Sequence, residues 1–237
     1  MDLNGWPGIE RRRPSYRSPT YAVRAPLARW LQTEAIRAAA DFGRFRVLDV
    51  GCGPKPYYPF FAPLVAGYAG LDLDNPAADI LGPAEAIPIA DHSFEVVLCT
   101  QLLEHSPDPA AVVRELARVV APGGRVLAST HGVSTYHPDP IDRWRWTHEG
   151  LEHLFTDNGD WRSLKVEGGS GTASCLGMLL SFYLGILCRQ AHVGTVGAGL
   201  TYAINRTAEF VDLRLPIMRT PGPGSLVANY HVTAEAL

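Results

Sequence analysis

Apolar positions recur along the chain in two periods, and the changes of period mark the elements. In residues 20–41, Leu27, Trp30, Leu31, Ala35 and Ile36 fall at helical spacing, which predicts a helix leading into a strand. Residues 46–50, 68–73, 95–100 and 124–130 are short apolar runs of strand length, and 226–232 reads as a last strand. A helix is predicted between 95–100 and 124–130. Asp108 is placed to cap it, Pro109 suits its first position, and Pro122-Gly123-Gly124 ends it. Its apolar face is Val112, Val113, Leu116, Val119 and Val120. Thr147 is placed to cap another, with Leu151, Leu154 and Phe155 inward and Gly159 beyond its end. Strands that alternate with helices need crossover connections, and so a mostly parallel sheet.

Outside this alternation lie two segments. Residues 1–19 are rich in Pro, Arg and Ser and read as an N-terminal arm, with Arg11-Arg12-Arg13 expected in solvent. Residues 20–237 are expected to form one domain, a size that supports a sizeable core. Within it, residues 169–225 are apolar and carry few charges; between Glu167 and Asn205 the only formal charge is Arg189. A formal net charge of −3 gives no general pull toward nucleic acid or anionic membrane. Cys52, Cys99, Cys175 and Cys188 are scattered with no CxxC pair, which fits reduced thiols, and residues 1–19 hold no apolar leader core; a cytoplasmic location is the expectation. The eight histidines show no metal-ligand spacing, so no metal is expected.

The most informative stretch is "VLDVGCGP", residues 47–54. In an open α/β sheet, ligands sit at the carboxyl ends of strands. Gly51 and Gly53 allow a tight turn and a close approach of backbone to ligand. A dinucleotide fingerprint would place a third glycine where Pro56 stands. Asp49, just before the turn, opposes a pyrophosphate and suits an ammonium group. The next strand ends in "GLDLD", where Asp72 can grip both hydroxyls of a ribose. The turn therefore reads as shaped for a nucleoside with a cationic, non-phosphate tail, a description that S-adenosylmethionine fits.

With "VLDVGCGP", "GLDLD", "PAEAIPIADHSFEVVLCTQLLEH" and "ELARVVAPGGRVLAST" in order, the chain resembles the class I S-adenosylmethionine-dependent methyltransferases, in particular the small-molecule branch similar to the methyltransferase type 11 family. The resemblance covers roughly residues 20–165 and returns for the final strand. It implies a Rossmann-like, doubly wound α/β fold with a seven-stranded, mostly parallel sheet, an antiparallel last strand and a helical insert before it. Carried over by position, Asp49, Gly51, Cys52 and Gly53 line the methionine end of the cofactor. Asp72 takes the ribose, and Leu73 lies against the adenine. Ala84 and Glu85 lie at the adenine's edge, and Thr100 and Gln101 reach the methionine carboxylate or the acceptor. The pattern departs at Pro83, where many relatives have an acid. Cys52 also reads as a residue that simply fits a small space in the turn.

The acceptor side is expected in "THGVSTYHPDPIDRWRWTHEGL", residues 130–151, which leaves the end of a strand. It is similar to a subgroup with a His…Pro-x-Asp…Arg-Trp-Thr pattern, whose members look like tailoring enzymes for glycans, lipids or secondary metabolites. His131, His137 and His105 are the candidates for a general base, since an oxygen acceptor must lose its proton. Tyr136, Asp142, Arg143, Trp144, Arg145 and Trp146 are candidates for binding the acceptor; the alternative is that Asp142 and an arginine form an ion pair that fixes the loop, with the tryptophans as its packing. The absence of an Asn/Asp-Pro-Pro-aromatic motif after the fourth strand argues against nucleobase or amide-nitrogen methylation. The expected activity is methyl transfer to a small organic acceptor, most simply a hydroxyl. The alternatives are other chemistry with the same cofactor, or an inactive, partner-binding scaffold. For the apolar insert, containing 173–188, a lid over the acceptor pocket is favoured over a homodimer interface or a membrane-surface anchor.

Overall fold

The computed structural model describes residues 3, 5–215 and 222–237. The strands are β1 (Phe45–Val50), β2 (Val65–Asp72), β3 (Ile80–Leu81), β4 (Phe94–Thr100), β5 (Val120–His131), β6 (Trp161–Gly168) and β7 (Asn229–Ala236). The helices are α1 (Ile9–Arg12), α2 (Tyr21–Phe42), α3 (Tyr58–Phe61), α4 (Pro109–Val119), α5 (His148–Thr156), α6 (Thr172–Gln190) and α7 (Gly194–Arg214). One seven-stranded sheet runs in the order β3-β2-β1-β4-β5-β7-β6. β1 pairs in parallel with β2 and β4, and β4 with β5; β7 alone is reversed, antiparallel to both β5 and β6. This is the Rossmann-like, doubly wound arrangement expected from the sequence. The chain order reverses beside β1, so a crevice opens at the carboxyl ends of β1 and β4.

Burial on both faces explains the unbroken apolar runs of the central strands. Val47, Val96, Leu98 and Leu127 pack against Leu27, Leu31, Ala35 and Ala38 of α2. Leu48, Val50 and Val97, one residue out of phase, pack against Val112, Val113 and Leu116 of α4 and Leu151 and Phe155 of α5. Both predicted caps form: the Asp108 carboxylate accepts from the Ala111 N–H at 2.9 Å and the Thr147 hydroxyl from the Gly150 N–H at 3.0 Å.

Two features differ from expectation. The predicted final strand, 226–232, forms further along as β7, because a position between β5 and β6 gives even Thr233-Ala234-Glu235 two paired neighbours. The N-terminal arm is docked, not solvated. Arg12 is buried, and its guanidinium donates to the carbonyls of Pro7, Pro56 and Trp6 at 2.6, 2.5 and 2.8 Å. Trp6 donates its indole N–H to the Lys55 carbonyl at 2.8 Å and packs on Tyr58.

The insert is a helix pair. α6 packs on α7 at Gly177, where a Cβ would meet Ile204 and Ala208 at 3.1 and 3.2 Å. The Asp212 carboxylate of α7 accepts from the N–H groups of Ala173 and Ser174, both at 3.0 Å, and so closes the start of α6. By length and composition alone α6 is long and apolar enough to cross a membrane, and Leu176, Leu180, Tyr183 and Leu187 lie on its exposed side. Residues 216–221 of the predicted insert lie outside the described residues.

Replacing Arg12 with Ala strands three backbone carbonyls and should cost about 2–3 kcal/mol. The check is a lower urea midpoint with an unchanged slope.

Candidate active site

The parallel strands deliver their carboxyl ends to one edge of the sheet, and the side chains there build the site. β1 ends in a turn closed by Gly51, at φ 71°, where any Cβ would collide with the Leu102 side chain. The N–H groups of Gly51 and Cys52 donate to the Leu71 carbonyl at 2.9 and 3.0 Å, tying the turn to β2. Gly53 also has positive φ, 48°, and a Cβ there would meet nothing within 4 Å; it would stand in open space above the turn.

Two carboxylates flank this cradle. Asp49 on β1 is 2% exposed and accepts a 2.6 Å hydrogen bond from the Tyr68 hydroxyl. Burial pushes its carboxyl up to about 7, against the opposing pull of Tyr68 and Lys55. Asp72, at the end of β2, accepts from the Gly53 N–H at 2.8 Å through Oδ2. Its Oδ1 has only a 3.5 Å contact with the Asp74 N–H. Leu73 next to it is 69% exposed. Cys52 is buried and its thiol is pushed up to about 12 by burial and then by Asp49, so it is an inert filler of the turn. Ala84 is buried, and Glu85 is already engaged, accepting from the Ser106 hydroxyl at 2.5 Å. Thr100 ends β4. Gln101, at φ 55°, donates to Ser129 Oγ and Asn229 Oδ1 at 3.0 and 2.8 Å.

Beyond Gln101 opens a cleft of about 460 Å³. His105, His131 and His137 all line it, with His137 edge-on to the other two rings at 5.2 and 5.5 Å. Behind His131 lies Glu104, fully buried, with its Oε1 3.5 Å from His131 Nε2 and its Oε2 accepting from the Thr130 hydroxyl at 2.8 Å. Glu104 Oε1 and His131 Nδ1 are buried without a hydrogen-bond partner. Burial pushes the Glu104 carboxyl up to about 7 and the His131 imidazole down to about 4.

The six residues expected to bind the acceptor lie outside this lining, and all but Tyr136 make contacts that hold the loop. Asp142 pairs bidentately with Arg145 and accepts from the His137 N–H at 3.3 Å. The Arg143 and Trp144 N–H groups donate to the Glu104 carbonyl, and the Trp144 indole to the Ser106 carbonyl at 2.8 Å. Trp146 stacks on Trp144 and donates its N–H to the His131 carbonyl at 3.0 Å; Tyr136 is 76% exposed. Besides His131 and His137, the loop contributes Ser134, Thr135, Asp139 and Pro140 to the cleft. Sequence reasoning also missed Arg11 and Arg24, which line the cleft from the N-terminal elements, and Met178 and Phe182, which line it from α6. Those last two place the insert against the cleft, as a lid requires.

The residues fit an adenosyl sulfonium. The open space above Gly53 accommodates a ligand against bare backbone, the buried acid of β1 suits a cationic amine, the free oxygen of Asp72 suits a ribose, and exposed Leu73 offers an apolar surface to a base. Fold and site together define the class of S-adenosylmethionine-dependent methyltransferases. The chain belongs to the methyltransferase domain family, whose sequence profile matches residues 17–164, more than half its length. The ubiquinone biosynthesis O-methyltransferase of Ralstonia nicotianae is 37% identical over 116 residues, covering 42% of this chain and 49% of that protein. Its counterpart from Neisseria meningitidis serogroup A is 38% identical over 120 residues, covering 42% and 50%. The chain thus spans about half the length of the curated relatives it matches. The S-adenosylmethionine-dependent methyltransferase from Archaeoglobus fulgidus shares the fold, with a TM-score of 0.54 and 16% identity over 87% of this chain and 93% of that one.

Two outcomes are expected here. Gly51→Ala should weaken S-adenosylhomocysteine binding by about tenfold or more, roughly 1.4 kcal/mol, in a calorimetric titration. Because Asp49 titrates near 7 when uncovered, an ammonium placed beside it favours the ionised form. Binding at pH 6 should therefore release a proton and binding at pH 9 should not, read from the dependence of heat on buffer ionisation enthalpy.

Proposed function

We propose that the protein moves a methyl group from S-adenosylmethionine to a hydroxyl of a small organic acceptor held in the cleft. The observation that carries this reading is the Glu104–His131 pair in the cleft wall. When bound, the cofactor supplies an electrophilic methyl group on sulfur. The chain's own task is then to orient the acceptor oxygen and remove its proton. His131 is kept neutral by burial, so its ring can accept that proton. The imidazolium would be costly in so dry a place, and the carboxylate of Glu104 offsets the charge or takes the proton onward. Thr130 holds one oxygen of Glu104 and leaves the other facing His131. His137, fixed through Asp142, and His105, which hydrogen-bonds the Ile141 carbonyl through Nδ1 at 3.0 Å, add polar groups to the wall of the same cleft.

The name carried by the two relatives, an O-methyltransferase, supports the same reading for the part of the chain they match. The cleft volume lies within the roughly 300–1,000 Å³ of small-ligand sites. Acceptors of the glycan, lipid and secondary-metabolite kinds all offer such a hydroxyl, and the apolar wall from α6 suits the less polar of them.

The test is incubation with methyl-labelled cofactor and a panel of phenols and sugar alcohols, with product analysis for a labelled methyl ether. Cofactor consumption without methyl transfer, or binding without consumption, contradicts the proposal. His131→Ala should lower kcat by about 10²–10⁴-fold while S-adenosylhomocysteine affinity holds. Since Glu104 must be ionised to receive the charge, kcat should rise with pH through about 7, and Glu104→Gln should flatten that rise.

A further inference from the structure

Two guanidinium groups in the acceptor cleft lack a counter-ion. Arg11 reaches it from α1 and Arg24 from the first turn of α2. Neither makes an ion pair or a side-chain hydrogen bond among the described residues. The other two arginines of α2 do: Arg29 pairs with Glu209 and Arg37 with Glu34. Among the α2 arginines, the one without such a partner is the one that faces the cleft. Burial, and then the like charge of Arg11, work against the charge on Arg24. The carboxylates nearby are Glu10 beside Arg11, Asp49 under the glycine turn, and Glu104 and Asp139 in the cleft wall; none lies within ion-pair distance of either guanidinium.

The positions are built rather than accidental. Arg12, bound to three carbonyls, pins the four-residue α1 to the segment after β1, and this fixes where its neighbour Arg11 can reach. Val23 and Leu27, buried on either side of Arg24 in sequence, fix that part of α2. The cavity that both arginines share is lined by His131, His137, Met178 and Phe182, and not by Gly53 or Asp72. It is the acceptor's chamber, not the nucleoside's.

We infer that Arg11 and Arg24 clamp an anionic substituent of the acceptor, a carboxylate or a phosphate, and so present its hydroxyl to His131. Planar guanidinium forks match both anions in geometry as well as charge. An acceptor so held is an amphiphile, with its anion at the arginines and its apolar body along Met178 and Phe182. The inference rests on the proposed function, and it adds the class of acceptor.

The experiment is calorimetry on the full-length protein saturated with S-adenosylhomocysteine, at constant ionic strength. The probes are inorganic phosphate, 3,4-dihydroxybenzoate, and 3,4-dihydroxybenzyl alcohol as the uncharged control. Both anions should bind, with the alcohol at least about tenfold weaker than the benzoate. The double variant Arg11→Gln, Arg24→Gln should lose anion affinity by about tenfold or more and keep its S-adenosylhomocysteine affinity within about threefold. On the wild-type protein, either anion should protect Arg11 and Arg24, but not Arg37, from phenylglyoxal, as read by peptide mapping; this needs no variant to fold. The clamp is overturned if neither anion binds the loaded protein, or if the double variant binds them equally. It is also overturned if that variant loses its hold on S-adenosylhomocysteine, which would put the cofactor's own carboxylate between the arginines. Failure of S-adenosylhomocysteine to bind the wild type would instead overturn the methyltransferase reading, and the clamp with it.

Discussion

A carboxylate held out of water at the end of the first strand is the constraint on which the site depends. Asp49 has one short hydrogen bond, from Tyr68, and almost no contact with solvent. Leaving a charge there without compensation is expensive, so the carboxyl is held near the neutral form until a cation covers it. That arrangement needs β1 between two parallel neighbours, a turn that can double back over the carboxylate, and glycines that let the turn do so. It also sets the chemistry of the ligand: a positively charged tail is welcomed and a pyrophosphate is refused.

The acceptor side is assembled by a different route. Its walls come from parts of the chain outside the alternating strands and helices: the docked arm, the start of α2, the loop after β5 and the apolar face of α6. The ion pair of Asp142 with Arg145 and the stacked tryptophans hold the loop so that His131 and His137 face one space. Glu104 and His131 lie in its wall, with Oε1 of Glu104 3.5 Å from Nε2 of His131 and the Nδ1 of His131 buried without a hydrogen-bond partner. The fold thus divides the labour. On the proposed reading, the sheet edge fixes the nucleoside, and the additions to the sheet decide what is brought to it.

The sheet edge was legible in the sequence because its signals are local. A strand, a turn with two glycines and an acid before it occupy consecutive positions, and Asp72 follows at the end of the next strand. The helix caps at Asp108 and Thr147 were legible for the same reason. The cleft was not, because its residues meet only through tertiary packing. The arginine run read as solvated although Arg12 is buried against three carbonyls contributed by Trp6, Pro7 and Pro56, one of them more than forty positions away. Trp144 and Trp146 have the composition of a binding surface, yet the backbone N–H groups of both and the indole N–H of Trp144 serve the loop. Glu104 gives no signal of its own in the sequence, and only the structure shows its Oε1 buried without a hydrogen-bond partner behind His131. The last strand was misplaced because alanine and glutamate are poor strand formers on their own, and only the two neighbouring strands make them one.

The most direct test of the central claim is a competition between nucleosides for the free protein, followed by calorimetry with S-adenosylhomocysteine, NAD and ATP. The account predicts that the sulfur-linked, phosphate-free nucleoside binds and that the two phosphorylated ones neither bind comparably nor displace it. Tighter binding of either phosphorylated nucleotide would contradict the assignment of the buried carboxylate, and with it the site.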